Sequence, residues 1–223
     1  AAGRLRTTAC TDSTRRENNM IASLILWLPT TFYLVAPLPQ IRKNYQLTSA
    51  TGLSTWMVLL LFGGSLLSIP YFWLRNMPLA YRFLIPFHAL FTGTLVAQKY
   101  WYSKSWRTRR TLMSSVLLLA TLTLILSGLG ITWSAYYAGT IAGWCASFML
   151  STSQIPQLVK IWAAKDTRGF SFHSVGLSWS AAALEFCISL ILWLPWPTVF
   201  NSFRNLSIRS MQICQFYWYK EKS

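Results

Sequence analysis

The chain has 223 residues, of which 53% are hydrophobic and 11% are charged, and its formal net charge is +15. A soluble domain carries about 25% charged residues, so this composition excludes an ordinary water-soluble protein. The basic residues form short clusters between long apolar runs, which argues against a nucleic-acid-binding surface and indicates several spans in a lipid bilayer.

Residues 1–19 contain no apolar run, which argues against a cleavable secretory signal. They are rich in Arg and Thr, a composition that a disordered basic tail shares with an organelle transit peptide. Asp12 and Glu17 favour the disordered tail, because transit peptides are poor in acidic residues. We therefore expect the folded part to begin near Met20.

Seven segments are each near or above the roughly 20 residues that cross a bilayer as a helix. The predicted spans, in chain order, are helices at 20–45, 53–74, 77–100, 111–132, 135–162, 170–193 and 197–219. The seventh contains Asn201, Arg204, Asn205 and Arg209, so other helices must shield it if it crosses the membrane.

The distribution of Lys and Arg predicts the orientation of the spans. Twelve basic residues lie in the loops after the first, third and fifth spans and at the C-terminus. The other side has two near the loop after the second span, none in the loop after the fourth, and the four arginines of the N-terminal tail. We expect these loops and the C-terminus to be cytoplasmic, and the N-terminus to be outside or lumenal. The sequence does not indicate which membrane holds the protein.

The sequence repeats itself at an offset of 117 residues. The offset pairs residue types that are uncommon in apolar helices: Trp27 with Trp144, Pro39 with Pro156, Gln40 with Gln157, Gly52 with Gly169, and Pro78 with Pro195. Each repeat is three helices long, and the fourth helix is left between them.

Because a single helix lies between the two three-helix repeats, both repeats enter the membrane in the same direction. We therefore predict an all-α membrane protein of seven transmembrane helices, in which two parallel three-helix repeats are joined by a linker helix in a 3+1+3 plan. The predicted parts are the tail at 1–19, the first repeat at 20–101, a basic loop and linker helix at 102–134, and the second repeat at 135–220.

Each repeat carries a Pro-Gln pair and, thirteen residues after the proline, a Gly-x-Ser sequence: GLS at 52–54 and GFS at 169–171. With the 3+1+3 plan, this pattern resembles the PQ-loop superfamily, which includes the SWEET sugar transporters, cystinosin and related amino-acid exporters, and the structurally similar KDEL receptors. The family loop commonly reads Lys-Ser-Thr-x-Gly, whereas these loops read TSATG and KDTRG, so the subfamily and the substrate stay open. We expect Gly52 and Gly169 to turn the chain back into the membrane.

Pro39 and Pro156 each lack a backbone donor and crowd the carbonyl four residues back, so each is expected to kink its helix. The neighbouring Gln40 and Gln157 can donate to the freed carbonyl groups, either locally or across the bundle. The family resemblance implies that the two kinks act as hinges for alternating access. A static bend is the alternative.

Glu185 is the only carboxylate within a predicted span, and its equivalent in the first repeat is Ser68. It lies on a stripe of small residues at helical spacing, which is typical of a face toward a packed bundle or cavity. A glutamate in apolar surroundings holds a proton more readily than one in water, so Glu185 is a candidate proton carrier. The alternative is an ion pair with Arg204, at nearly the same predicted depth, which would keep the carboxylate ionised.

The same offset pairs His88 with Asn205. The resemblance implies an asparagine facing the central pocket at both positions, which Asn205 matches and His88 does not. Both side chains can bind sugar hydroxyls or an amino-acid head group, and His88 can also relay protons; a histidine satisfied by neighbouring backbone is the alternative. Trp73 and Trp179 are candidates to line the pocket, although aromatic belts at the membrane interfaces account for tryptophans equally well.

The sequence contains no zincin, nucleophile-elbow or phosphate-loop motif, and no cluster of Cys and His with metal-ligand spacing. We therefore predict a non-enzyme without a cofactor or metal. The predicted function is alternating-access transport of a small polar solute, a sugar or a neutral or cationic amino acid, with or without proton coupling. The competing prediction is a receptor like the KDEL receptor, which would bind an anionic peptide end through Arg204 and Arg209. A second competing prediction is an accessory factor in dolichol-linked sugar use, which the stretch LLFGGSL at 60–66 resembles. A homo-oligomer is compatible with the sequence.

Overall fold

The computed structural model describes residues 25–77, 79–167, 169–191 and 196–220, and the regular structure within these ranges is helical. The predicted tail at 1–19, Pro78 and Pro195 lie outside the described residues. In chain order the helices are α1 at 25–35, α2 Leu38–Gln46, α3 Thr55–Leu74, α4 Leu79–Tyr102, α5 Trp106–Thr132, α6 Ala135–Thr152, α7 Ile155–Ala164, α8 Phe172–Ile191 and α9 Trp196–Lys220.

These helices form the predicted seven spans of a 3+1+3 membrane protein. Four helices, α3, α4, α5 and α8, are each long and apolar enough to cross a membrane alone. The first span is made of α1 and α2, and the fifth of α6 and α7. The linker helix α5 begins at Trp106, five residues before the predicted start, because the Ser105 hydroxyl accepts a hydrogen bond from the Thr108 amide and caps the first turn.

Each interrupted span breaks just before its Pro-Gln pair, where we predicted a kink within one continuous helix. The breaks fall at residues 36–37 and 153–154. Pro39 and Pro156 then stand in the first turn of the next helix, which tolerates proline because amides there have no partner within the helix. At the first break, Ser174 of α8 donates its hydroxyl to the Ala36 carbonyl at 2.5 Å.

The two repeats pack against each other crosswise. The second helix of the first repeat, α3, contacts α6 of the second repeat, and α2 contacts α8. Glycines allow the α3/α6 approach: a Cβ on Gly64 would lie 2.6 Å from Leu150 Cγ, and one on Gly143 would lie 2.6 Å from Tyr71 Cδ2. Small residues are what let helix backbones approach closely in membranes.

Candidate functional site

Gln40 binds the loop that precedes α8 in the other repeat. Its Oε1 accepts a hydrogen bond from the Ser171 amide at 2.6 Å, and its Nε2 donates to the Gly169 carbonyl at 3.2 Å. The same amide nitrogen donates to Asn44 Oδ1 at 2.7 Å. Gln40 is 1% exposed, so these bonds satisfy a buried amide.

Gln157 of the second repeat makes the equivalent bonds to the loop of the first repeat. Its Oε1 accepts from the Ser54 amide at 2.7 Å, and its Nε2 donates to the Gly52 carbonyl at 3.0 Å. Both glutamines therefore act across the bundle, but they donate to loop carbonyls and not, as we predicted, to the helix carbonyls freed by the prolines. We call these two glutamines and the Gly-x-Ser loops at 52–54 and 169–171 the Pro-Gln clamp.

Two lysines extend the Pro-Gln clamp. Lys43 Nζ donates to the Phe170 carbonyl at 2.8 Å, and Lys160 Nζ donates to the Leu53 carbonyl at 2.9 Å. Lys160 also donates to the Thr51 carbonyl. Because each lysine, like each glutamine, binds the loop of the other repeat, the clamp ties the two repeats together at this end of the bundle.

Gly52 and Gly169 each lie in a turn, and they also contact each other. Among the described residues no glycine has a positive φ; the left-handed turn residues at equivalent loop positions are Thr48, with φ 44°, and Lys165, with φ 51°. A Cβ added to either glycine would overlap the backbone of the other. Glycine is needed here for close approach of two backbones, not for an unusual conformation.

The equivalence of the two repeats fails at one buried position beside the clamp. Gln98 and Gln215 each donate to a backbone carbonyl of the Pro-Gln helix in their own repeat, at 3.1 and 3.0 Å. Gln98 Oε1 also accepts from Asn44 Nδ2 at 2.9 Å, but the position equivalent to Asn44 holds Ile161. Gln215 Oε1 is consequently buried without a hydrogen-bond partner among the described residues.

A second polar group lies between the repeats, away from the clamp. The Tyr33 hydroxyl of α1 donates to Glu185 Oε2 of α8 at 3.0 Å, and Tyr33 also interacts with the side chain of Asn205 on α9. Among the described residues, the hydrogen-bond donor to the Glu185 carboxylate is Tyr33, and no ion pair joins Glu185 to Arg204.

Arg209 on α9 lies next to this group. Its Nη1 donates to Gln154 Oε1 and Gln212 Oε1, each at 2.9 Å. The charge of Arg209 also acts on Tyr33 and on the ring of His88. We call the side chains linked by these hydrogen bonds and charge interactions the central polar cluster: Tyr33, His88, Gln154, Glu185, Asn205, Arg209 and Gln212.

Sequence comparison identifies the repeats. Residues 21–81 and 138–196, together more than half of the chain, each match the PQ loop repeat. The chain belongs to the PQ-loop repeat family. Its fold is similar to that of a eukaryotic SWEET transporter, with a TM-score of 0.64 over 91% of this chain and 96% of that chain, at 13% sequence identity. No curated protein sequence matches the chain.

This PQ-loop protein is therefore an integral membrane protein with several spans, and the predicted site residues have definite places in it. Glu185 and Asn205 lie in the central polar cluster. His88 joins it from α4, and its Nδ1 lies 2.9 Å from the Ser65 hydroxyl, which is a side-chain partner and not the backbone alternative. Ser68 donates to the Gly64 carbonyl of its own helix at 2.8 Å.

Both predicted tryptophans lie apart from this arrangement. Trp73 is 57% exposed, with the Arg82 guanidinium 5.8 Å from its ring, which fits the aromatic belt better than a pocket. Trp179 donates to the Ser210 hydroxyl at 3.0 Å and is 37% exposed. The pocket-lining role of the two tryptophans stays a prediction, and so does a role of Arg204 in solute binding or coupling.

Three members of the central polar cluster are not predicted from the sequence: Tyr33, Gln154 and Gln212. A signal for Gln212 exists, because Asn205, Arg209 and Gln212 are spaced i, i+4 and i+7 and so share one face of α9. Gln154 lies three residues before Gln157, which places both amides on one side of the Pro-Gln segment. Tyr33 has no comparable signal, since its equivalent in the second repeat is Leu150.

Proposed function

We propose that this PQ-loop protein transports a small polar solute, a sugar or an amino acid, by rocking its two repeats about the central polar cluster. The observation that supports this proposal is the Tyr33–Glu185 hydrogen bond, which joins α1 of the first repeat to α8 of the second. Polar groups within membrane spans are costly and mark solute pathways in other membrane proteins. A site between two parallel repeats is also where transporters of this build hold their solutes.

The central polar cluster has the chemistry that such a solute needs. Glu185 offers acceptors to hydroxyl or amino groups, Asn205 offers both a donor and acceptors, and Arg209 offers donors to a carboxylate. A solute can exchange its own hydrogen bonds for the Tyr33–Glu185 bond without leaving a polar group unpaired. This exchange keeps the free-energy cost of entering the bundle low.

The two helix breaks supply hinges for the rocking motion. At 36–37 and 153–154 the helical hydrogen-bond ladder is interrupted, so each Pro-Gln helix can change its angle to the preceding helix with little loss of backbone bonding. The Pro-Gln clamp closes the bundle at the adjacent end. Opening at that end therefore requires the cross-repeat bonds of Gln40 and Gln157 to break, and opening at the other end does not.

Glu185 links this motion to protons. An ionised carboxylate accepts a stronger hydrogen bond than a neutral one, so protonation of Glu185 weakens its bond to Tyr33 and loosens the contact between the repeats. A proton entering with the solute would thereby favour the open arrangement. In the Glu185→Gln protein this dependence on protonation is lost.

The test is uptake into proteoliposomes that contain the purified full chain. A panel of sugars and of neutral and cationic amino acids is offered with and without a pH gradient. We expect uptake of one class, faster with the gradient for the native protein and independent of it for Glu185→Gln. Ser68→Ala, at the equivalent position of the first repeat, is the matched control and should keep the gradient dependence.

Three results would each contradict part of the proposal. If uptake by Glu185→Gln still depends on the pH gradient, Glu185 does not couple transport to protons, although the transport proposal stands. If no solute is taken up under any condition, the transport proposal is wrong. Tight binding of an anionic peptide without flux would instead favour the receptor alternative.

A further inference from the structure

A groove of about 260 Å³ lies on the outer surface of the protein, where α4 ends and α5 begins. It is at the same end as the Pro-Gln clamp, because Lys99 near the end of α4 donates to the Ala50 and Leu53 carbonyls, each at 2.7 Å. The side chains that line the groove include Tyr100, Trp106, Arg109, Arg110, Met113 and Leu117.

The groove is basic at one end and apolar at the other. Arg109 is held in place: its Nε donates to the Ser103 carbonyl at 2.8 Å, and its guanidinium lies 5.7 Å from the centre of the Tyr100 ring. Arg110 is exposed and makes no hydrogen bond within the part of the chain that the structure describes. Met113 and Leu117, one and two helical turns further along α5, are 52% and 61% exposed.

The arginines of the groove lack an acidic neighbour along the chain. No Asp or Glu occurs between residues 18 and 165, whereas Lys104 and Arg107 add further positive charge where α4 ends and α5 begins. The flanking Trp101 and Trp106 are 73% and 72% exposed, as expected for aromatic side chains at the membrane interface. At that depth the abundant anion is the phosphate of a lipid head group.

We propose that this groove binds one acidic phospholipid, with its phosphate on Arg109 and Arg110 and an acyl chain along Met113 and Leu117. Guanidinium groups bind phosphate through paired hydrogen bonds, and the apolar end continues directly onto the lipid-facing surface of α5. Only 17% of the apolar window of α5 is buried in the protein, so a lipid can reach the groove without displacing a helix.

The test is a lipid titration of the full chain in an uncharged detergent, read by native mass spectrometry. Phosphatidylglycerol should bind with 1:1 stoichiometry and more tightly than phosphatidylcholine. At about a fivefold change for each basic residue, Arg109→Gln with Arg110→Gln should weaken phosphatidylglycerol binding about 25-fold. Lys104→Gln with Arg107→Gln removes the same charge outside the groove and should leave binding within about fivefold of the native value.

Further variants distinguish lipid held in the groove from lipid held elsewhere on the protein surface. Because Arg109 also bonds the loop backbone, Arg110→Gln alone is measured as well, with an expected loss of about fivefold. Leu117→Asn should weaken the lipid without changing the charge. Equal losses in the two double variants, equal binding of the two lipids, or displacement of the lipid by an equimolar concentration of inorganic phosphate would each overturn the lipid site.

Discussion

The two repeats are alike in the Pro-Gln clamp and unlike in the central polar cluster. In the clamp, each bond that Gln40 makes to the Gly169 and Ser171 loop has an equivalent made by Gln157. In the cluster the equivalent positions hold different residues: Glu185 with Ser68, Tyr33 with Leu150, Asn205 with His88, and Arg209 with Thr92.

This difference separates two demands on one architecture. Closing the bundle needs two matching halves, because each half supplies the donors and acceptors for the loop of the other. Binding an asymmetric solute needs different groups on the two sides of the site. The contacts of the Pro-Gln clamp are therefore duplicated, and those of the central polar cluster, which we propose to face the solute, are not.

The contact between the two glycines gives the largest expected effect and tests the region where the repeats are alike. A Cβ at Gly52 or Gly169 overlaps backbone, which cannot move aside as a side chain can. We expect Gly52→Ala and Gly169→Ala each to lower the free energy of unfolding by about 3 kcal/mol, measured by thermal unfolding in detergent. Gly176→Ala, where an added Cβ meets nothing within 4 Å, should be neutral or slightly stabilising. A large loss of stability at only one of the two glycines would contradict the equivalence of the two repeats in the clamp.

The clamp glutamines give the next largest effect. Gln40→Leu and Gln157→Leu each strand a backbone amide and a carbonyl, so each should lower the free energy of unfolding by about 2 kcal/mol. Gln40 should cost more, because it also bonds Asn44. The exposed Gln46 is a matched control on α2, and its change to Leu should stay within about 0.5 kcal/mol. Losses as small as that control at either clamp position would contradict the cross-repeat bonds.

Tyr33→Phe tests the region where the repeats differ. It removes the donor to Glu185 and should lower the free energy of unfolding by about 1.5 kcal/mol at a pH where the carboxylate is ionised. Tyr71→Phe removes a hydroxyl that has no hydrogen-bond partner among the described residues, and should change stability by less than about 0.5 kcal/mol. Chemical unfolding at several pH values measures both. Indistinguishable variants would show that the Tyr33–Glu185 bond does not hold the repeats together.

Gln98 and Gln215 give the smallest effect and sharpen the boundary between the two regions. Gln215→Leu loses one hydrogen bond but also removes a buried acceptor that has no partner, so it should change the free energy of unfolding by less than about 1 kcal/mol. Gln98→Leu loses two bonds and strands Asn44, so it should cost clearly more in the same unfolding assay. Equal costs would mean that Gln215 Oε1 has a partner, such as a water molecule, in the membrane-embedded protein.

The sequence predicts the fold well because its repeat is carried by Pro, Gln and Gly, which are uncommon in apolar helices. The same repeat does not predict that Gln40 reaches the Gly169 loop. The 117-residue offset identifies which positions of the two repeats are equivalent. It does not identify which positions are in contact, because contacts depend on how the helices cross. For this reason the sequence predicts the turns at the two glycines but not the contact between their backbones.

The candidate site is predictable where a residue type is costly in a membrane. Glu185 stands out as a lone carboxylate in an apolar span, and Asn205 stands out by its family position. The partner of Glu185 is not predictable in this way, because a tyrosine in an apolar helix is ordinary and Tyr33 has a leucine as its equivalent. Depth along the helices made an ion pair with Arg204 one of two alternatives for Glu185, but depth alone does not determine which face of α9 points toward α8.

Gly52 and Gly169 are equivalent positions that touch, so the pseudo-two-fold axis relating the repeats passes between them. Only residues at such an axis meet their own equivalents, as in the isologous interface of a homodimer. The protein is thus built like a homodimer whose subunits have been joined into one polypeptide by α5. In a true homodimer every substitution appears twice, whereas here a change alters one half alone, and Glu185 with Ser68 at the equivalent position is such a one-sided difference.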